Sequence, residues 1–243
     1  MDTLTGSFAQ AWQLLVQLDA HLAQIVARSL FVSACATVIG CVLGLAFGAW
    51  LAVVRFTTRG AVLTLLNTLL ALPSVVVGLV VYLMLSRSGP LGALGWLFSL
   101  KAMVIAQAIL VLPVAAALTR QVVEDVETVG GEQLRSLGAR VPLRALLIAW
   151  DERYALLTVV IACFGRAISE VGAVMIVGGN MEGFTRVMTT AIALETTKGD
   201  LPLALALGIV LLGVVLALNA LIAVVRRWRM DRIDKAAVQG LPA

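Results

Sequence analysis

Long apolar segments constrain this chain more than any other feature of its sequence. Segments 29–54, 61–86 and 201–225 contain no charged residue, and each exceeds the roughly 20 residues of helix that cross a bilayer core. Segment 102–119 is shorter but also uncharged, and segment 154–178 is apolar apart from two charges. Only 13% of all residues are charged, against about 25% in soluble domains. The sequence therefore predicts an all-α integral membrane protein with five transmembrane helices.

The basic residues predict how these spans are oriented. With five spans, the connections at 55–60 and 120–153 lie on the same side of the membrane as the tail 226–243, and together they carry twelve Lys and Arg residues. The opposite side carries five. The side richer in basic residues is normally cytoplasmic. The N-terminus is therefore expected outside the cytoplasm and the C-terminus, a basic tail, inside it. This distribution is typical of membrane topology and not of a nucleic-acid-binding face.

The first 28 residues differ from the five apolar segments. Apolar residues recur there at helical spacing, while Asp19 and His21 interrupt any apolar run. A helix with one apolar stripe and a polar remainder lies in the membrane interface more readily than across it. We expect an extracytoplasmic amphipathic helix over residues 1–28.

Two charges inside the fourth predicted span are candidates for function. Arg166 and Glu170 are four residues apart, which would place them on one face of a continuous helix. Each charge costs about 2.5–3.5 kcal/mol at the bilayer centre, so such residues usually face protein or an aqueous path. Either a structural salt bridge or a site on a transport pathway is consistent with this pair. Ser169 lies beside them, and Pro73 is expected to kink the second span, which either lines a pathway or shapes packing.

Small residues form a ridge on the first span. They recur every fourth residue, as Ala36, Gly40, Gly44, Gly48 and Ala52. A small-xxx-small pattern allows the backbone of a second helix to approach closely. Packing within one subunit and packing between two copies are both consistent with the ridge.

The segment 120–153 is the largest polar connection, and it contains a short amphipathic pattern interrupted by Gly138 and Pro142. Glu132 precedes Gly138 by six residues. This spacing resembles the EAA-type loop of permease subunits of bacterial ABC importers, although Gln133 and Leu134 replace the usual alanines. The resemblance implies a coupling loop on which an ATPase subunit docks. Its residues would be Glu132, Leu134, Leu137, Gly138, Ala139 and Pro142.

The stretch GRAISEVGAVMIVGGNMEGFTRVMTTAIALETTKGD, residues 165–200, is similar to the tungstate permeases among these importers and more loosely to molybdate and sulfate permeases. ALPSVVVGL around Pro73 agrees with the same branch. The resemblance spans about residues 25–228. It implies a type I ABC importer permease fold and a homodimer in the bacterial inner membrane, with the translocation path at the dimer interface. Arg166, Ser169, Glu170 and Pro73 are then candidates for the path or the interface.

The same resemblance implies partners on both sides of the bilayer. Two ABC ATPase subunits, which carry ATP and Mg, would dock in the cytoplasm, and an oxyanion-binding protein would dock outside. Exposed charges near the outer boundary would contact that binding protein: Glu182, Arg186, Glu195, Lys198 and Asp200. No cofactor or metal is expected in this chain, and tungstate is the expected substrate, with molybdate or sulfate as alternatives.

Several other function classes lack support in the sequence. The chain has no G-x-x-x-x-G-K-[ST] phosphate loop, so it cannot supply a P-loop ATPase site. It has one His, no H-E-x-x-H and no G-x-S-x-G, which argues against a membrane protease and leaves no catalytic residue to assign. A secondary transporter with an Arg166/Glu170 ion relay and a structural membrane scaffold remain as alternatives. A secondary transporter often has two equivalent halves, which five spans with one long loop do not suggest.

Overall fold

The computed structural model describes residues 9, 11–13, 16 and 20–238, with side chains as far as Trp228. Within that part every regular element is helical. The α-helices are α1 Ala20–Val53, α2 Arg59–Leu70, α3 Ser74–Leu85, α4 Leu100–Ser136, α5 Val141–Asp151, α6 Arg153–Ile168, α7 Gly172–Gly178, α8 Met188–Lys198 and α9 Leu201–Val238. A short 3₁₀ turn, Gly92–Leu94, precedes α4.

The number of helices that could cross a membrane depends on two bent pairs. Among the described residues, α1, α4 and α9 are each long and apolar enough to span a bilayer. The pairs α2–α3 and α6–α7 also qualify if each pair counts as one span, which gives up to five. Composition thus supports a multi-pass membrane protein, and the count of five stays a prediction.

The small-residue ridge of α1 packs against α4 of the same chain. A Cβ atom built on Gly48 would lie 2.3 Å from the carbonyl oxygen of Ala116, and one on Gly44 would lie 2.6 Å from the Cβ of Ala115. Only glycine permits this separation of the two helix axes. The ridge therefore serves packing within the subunit. Of the two interpretations of its sequence, the structure supports this one and not packing between two copies.

Two of the predicted spans are bent. The kink expected at Pro73 is present as a bend of 96° between α2 and α3, and it is sharp enough to divide the segment into two helices. Pro73 has no N–H to continue the helix and precedes α3 with an extended ψ of 126°. The prediction of one continuous helix over 154–178 was wrong, because α6 and α7 meet at 58° after Ile168.

The boundaries of the other predicted segments also shift. α4 continues past residue 119 to Ser136, so the polar residues 120–136 extend that helix and do not begin a loop. Ala20–Arg28 belongs to α1 without a break at residue 28, and half of the residues of the predicted N-terminal amphipathic helix lie outside the described residues. Helix length follows hydrogen bonding and packing, whereas hydropathy marks only the apolar part of a helix.

Candidate functional site

The end of α4 and the start of α5 form an exposed helical hairpin. Gly138 occupies the turn with a φ of +77°, and its N–H donates to the carbonyl of Arg135 at 2.9 Å. Positive φ favours glycine, which explains why the helix ends here. Pro142 lies in the first turn of α5, where an N–H has no helical partner to bond.

The structure brings the six predicted coupling residues together on this hairpin. Glu132, Leu137, Gly138 and Pro142 are exposed, whereas Leu134 and Ala139 are half-buried. Leu137 is 83% exposed. Leu134 packs against a cluster that contains Val53, Val123 and Ile148. An exposed tip on a packed base is a suitable surface for a partner protein.

Two carboxylates on α4, which no sequence motif singles out, form ion pairs near the base of the hairpin. Glu124 accepts from Arg59 at 2.8 Å and also pairs with Arg120. These pairs tie the start of α2 to α4. Their side chains are 14–25% exposed, so they are partly screened by solvent.

Glu127, one turn further along α4, is more deeply buried. One of its carboxylate oxygens accepts from Arg144 on α5 at 2.8 Å and from Arg135 on α4 at 3.0 Å. The side chains of Glu127 and Arg144 are 1% and 8% exposed. In the sequence, the signal for this pairing is a carboxylate among Val123, Val126 and other apolar residues of one α4 face.

Arg166 and Glu170 do not share a helical face, which corrects the sequence prediction. α6 ends at Ile168, and Glu170 lies beyond Ser169 in the break before α7. No ion pair joins Arg166 to Glu170 in the part of the chain described here. Instead the Glu170 carboxylate accepts from the N–H of Ala173 at 3.3 Å in the first turn of α7. The carboxylate thereby caps α7, because it accepts from a backbone N–H that has no partner within the helix.

The two charges lie at the surface of the single chain. Arg166 and Ser169 are exposed, and Glu170 is half-buried. An arginine that faces hydrocarbon is costly, so a residue at this depth needs protein or water beside it. The surface around the α6–α7 break is thus a poor lipid-facing surface, which favours a path or a subunit interface over a structural bridge within the chain.

Gln107 on α4 lies behind this break and was also missed. Its side-chain N–H donates to the carbonyl of Ala167 at 2.9 Å, while its side-chain oxygen is buried without a partner. Gln107, Arg166 and Glu170 line one narrow crevice. A lone amide in the uncharged span 102–119 is the sequence signal that could have identified it.

The two helix breaks lie against each other. A Cβ built on Gly172, at the start of α7, would lie 2.8 Å from the hydroxyl of Ser74, the residue after Pro73. A Cβ on Gly78 of α3 would lie 2.7 Å from the Cα of Ala173. The structure therefore brings the Pro73 region and the Ser169–Glu170 break to one place. Irregular backbone at membrane depth occurs where it is buried in protein or lines a water-filled cavity.

The predicted binding-protein contacts divide into two groups. Glu182, Lys198 and Asp200 are exposed, as expected. Arg186 and Glu195 are buried, at 7% and 5% exposure, so the expectation that they are exposed was wrong.

Ion pairs explain why these two charges are internal. Arg186 lies 3.7 Å from Glu195 and 3.5 Å from Glu182, and Lys198 pairs with Glu195 at 3.0 Å. A buried carboxylate needs such partners. Arg186 and Glu195 therefore fix the loop that follows α7 against α8. The sequence alone shows charges of both signs in a short region and does not show which of them form pairs.

Comparisons with known proteins identify relatives that cover most of the chain. The chain is 41% identical over 226 residues to the tungstate uptake system permease protein TupB of Peptoclostridium acidaminophilum, covering 91% of this chain and 97% of that protein. It is 42% identical over 206 residues to a probable anion ABC transporter permease protein of Haloferax volcanii, covering 83% and 89%. No family model matches the chain.

A further relative is the tungstate uptake system permease protein TupB of Campylobacter jejuni, 34% identical over 220 residues, covering 90% of this chain and 92% of that protein. Relatives named as sulfate and molybdenum permeases are more distant, at 27% and 28% identity. Identity above 30% over most of both chains shows the family, and it agrees with the resemblance found in residues 165–200. The chain belongs to the family of tungstate uptake permeases of ABC transporters.

Proposed function

We propose that this chain is the membrane-spanning subunit of an ATP-driven importer whose substrate is tungstate. It works as a homodimer, with an ATPase subunit docked on each α4–α5 hairpin and an oxyanion-binding protein on the opposite face. The observation that carries the proposal is the 41% identity over 91% of this chain to a protein named as a tungstate uptake permease. The exposed hairpin and the charged break between α6 and α7 support the assignment of roles within the chain.

The α4–α5 hairpin is the proposed docking element. Its tip exposes Glu132, Leu137 and Gly138, and its base is packed and ion-paired. Closure of the ATPases on ATP and Mg pushes this tip. α4 transmits the movement because it is one continuous helix from Leu100 to Ser136. The hairpin end then lies in the cytoplasm of a bacterium, at the inner membrane, which agrees with the excess of basic residues there.

The translocation path runs past the joined helix breaks. Arg166 favours an anion there, and Glu170 holds the start of α7 through Ala173. The exposed face of the break meets the same face of a second copy, so that both arginines are kept from lipid. Exposed Glu182, Lys198 and Asp200 contact the binding protein outside. Substrate choice resides mainly in that protein, because Arg166 and Glu170 offer charge and not a cage for one anion.

Transport in proteoliposomes tests the proposal. Vesicles containing the permease and its ATPase, with ATP on the ATPase side, are given the binding protein and labelled tungstate on the other side. We expect tungstate uptake only when ATP and the ATPase are both present. Uptake driven by a proton gradient without ATP would contradict the proposal and support an ion relay through Arg166 and Glu170. Absence of transport in both assays would support a scaffold.

Competition between tungstate, molybdate and sulfate identifies the substrate. The affinity of the binding protein for tungstate, molybdate and sulfate is measured by calorimetry, and each anion is then offered as a competitor in the uptake assay. We expect tungstate to bind most tightly and to compete best. Equal or better binding of molybdate would move the assignment to molybdate, for which the named relative is only 28% identical.

A further inference from the structure

Glu127 occupies an unusual position among the charges of this chain. It lies on α4 between the apolar span and the hairpin tip, and its side chain is 1% exposed. Both ion pairs use the same carboxylate oxygen, while the other oxygen is buried without a partner. The Nε of Arg144 is likewise buried and unpaired. A carboxylate buried in this way is held by its arginines, since loss of either charge leaves the other uncompensated.

The surrounding backbone is shaped to admit this carboxylate. A Cβ built on Gly131, one turn after Glu127, would lie 2.6–2.8 Å from the three carboxylate atoms. A side chain there would displace the ion pair. Gly130, the preceding residue, has open space around it. The contrast between these two adjacent glycines indicates that Gly131 makes room for Glu127.

The two arginines differ in what they connect. Arg135 belongs to α4, as Glu127 does, and it is 48% exposed. Arg144 belongs to α5 and is 8% exposed. Of the two ion pairs of Glu127, the one with Arg144 therefore crosses from one arm of the hairpin to the other. It does so at the base of the hairpin, away from the exposed tip at Gly138, where it resists a change in the angle between the two helices.

We infer that Glu127 and Arg144 are positioning residues that make the α4–α5 hairpin rigid, so that force on its tip moves α4. The inference rests on the proposed function, because it concerns the coupling of ATP hydrolysis to transport. Without the pair, the hairpin still presents Glu132, Leu137 and Gly138 to the ATPase. It then flexes about its turn when the ATPases close, and less of the movement reaches the membrane.

Spin labels on the two arms measure this rigidity without any partner protein. In a background with Cys35, Cys41 and Cys163 replaced by alanine, labels are attached at Val129→Cys on α4 and Leu146→Cys on α5. Both sites are well exposed, at 88% and 65%. We expect a narrow distance distribution in the parent and one about twofold broader or more in Glu127→Gln and Arg144→Gln, because the directed charge pair is lost.

Three variants serve as controls. Arg135→Gln removes an arginine from the same carboxylate but leaves the link to α5, so the distribution stays narrow. Glu124→Gln removes a carboxylate one turn away that pairs with α2 and α4 and not with α5. Arg144→Lys retains a positive charge beside Glu127. We therefore expect the distance distribution to stay nearly as narrow as in the parent. If the single variants fail to reach the membrane, Glu127→Gln/Arg144→Gln takes their place, because it leaves neither charge of the buried pair uncompensated and Arg135, at 48% exposure, remains in contact with solvent.

The assembled transporter then separates docking from coupling. Binding of the ATPase to Glu127→Gln in nanodiscs is expected to stay within about threefold of the parent. Stimulation of ATP hydrolysis by the loaded binding protein is expected to fall about tenfold, within the range typical of coupling between sites. An unchanged distance distribution in Glu127→Gln would overturn the inference, as would normal stimulation despite a broad distribution. A parallel loss of docking would show that the pair shapes the docking surface only.

Failure of the proposed function gives a different result. If the parent binds no ATPase, that function is wrong and so is the coupling role, although the distance measurement still reports whether the pair makes the hairpin rigid.

Discussion

At the scale of single residues, glycines decide how closely the helices of this permease approach one another. Gly48 and Gly44 place α1 against the backbone of α4, and Gly78 and Gly172 place α3 against α7. In a bilayer, helices associate through close van der Waals packing, because lipid is as apolar as their side chains. Each of these glycines therefore contributes to the fold because, without a side chain, it lets two helices come into close contact.

Gly48→Ala is expected to destabilise the protein. Its methyl group would lie 2.3 Å from the Ala116 carbonyl oxygen, which is backbone and cannot rotate away. Overpacking of this kind costs about 1–3 kcal/mol. Thermal unfolding in detergent, followed by fluorescence-detected size exclusion, measures the effect as a lower midpoint. Gly213→Ala on α9 is the matched control, since nothing lies within 4 Å of its Cβ position. An unchanged midpoint for Gly48→Ala would mean that α1 and α4 are further apart.

At the scale of elements, the hairpin and the paired breaks have different origins. The hairpin turn is local, because Gly138 and Pro142 are spaced as a helix end and a helix start require. The break between α6 and α7 contains no proline, and Glu170 caps α7 from within it. Its form depends on contact with α3 through Gly172 and Gly78, so a sequence window around Arg166 does not reveal it.

Gly138→Trp is expected to weaken ATPase docking while the permease itself inserts normally. The position has φ of +77°, which strains any residue with a Cβ, and its side chain would project into open space at the hairpin tip. The measurement is co-purification of the ATPase with tagged permease, normalised to permease yield, and we expect a loss of about tenfold or more. Gly60→Trp, at another open position on the same predicted side, should leave co-purification unchanged. Normal co-purification with Gly138→Trp would place the docking site elsewhere.

At the scale of the whole molecule, the surface of the chain combines apolar faces with one polar surface. Exposed apolar residues such as Val38, Val42, Leu212 and Leu216 suit contact with lipid. The surface at the α6–α7 break, with exposed Arg166 and Ser169, does not. Family membership and this polar surface both support the proposed assembly, in which the break is enclosed.

Thiol accessibility tests whether that assembly encloses water. In the cysteine-free background, Ser169→Cys in the assembled transporter is expected to react with a charged, membrane-impermeant methanethiosulfonate reagent, because charged reagents modify only hydrated thiols. Modification should also block tungstate uptake. Leu212→Cys on α9, where Leu212 is 70% exposed, should stay unmodified in lipid. Modification of Leu212→Cys but not of Ser169→Cys would place the aqueous path on the other side of the molecule.

The sequence by itself determined that this is a multi-pass helical membrane protein, because apolar run length and scarcity of charge are properties of composition along the chain. It also identified the family, since residues 165–200 and the spacing of Glu132 and Gly138 are local patterns. It also predicted a break at Gly138, which is where the hairpin turns.

The tertiary structure alone decided which charges meet when they are far apart in the sequence. Glu127 and Arg144 are 17 residues apart, and Arg186 and Glu195 lie on either side of the start of α8, so no helical periodicity relates either pair. The structure also showed that the α1 ridge is occupied by α4, and that Arg166 and Glu170 lie on opposite sides of a helix end. Such pairings depend on how helices cross, and the crossing is fixed by contacts between residues far apart in the chain, which hydropathy and spacing along one segment do not record.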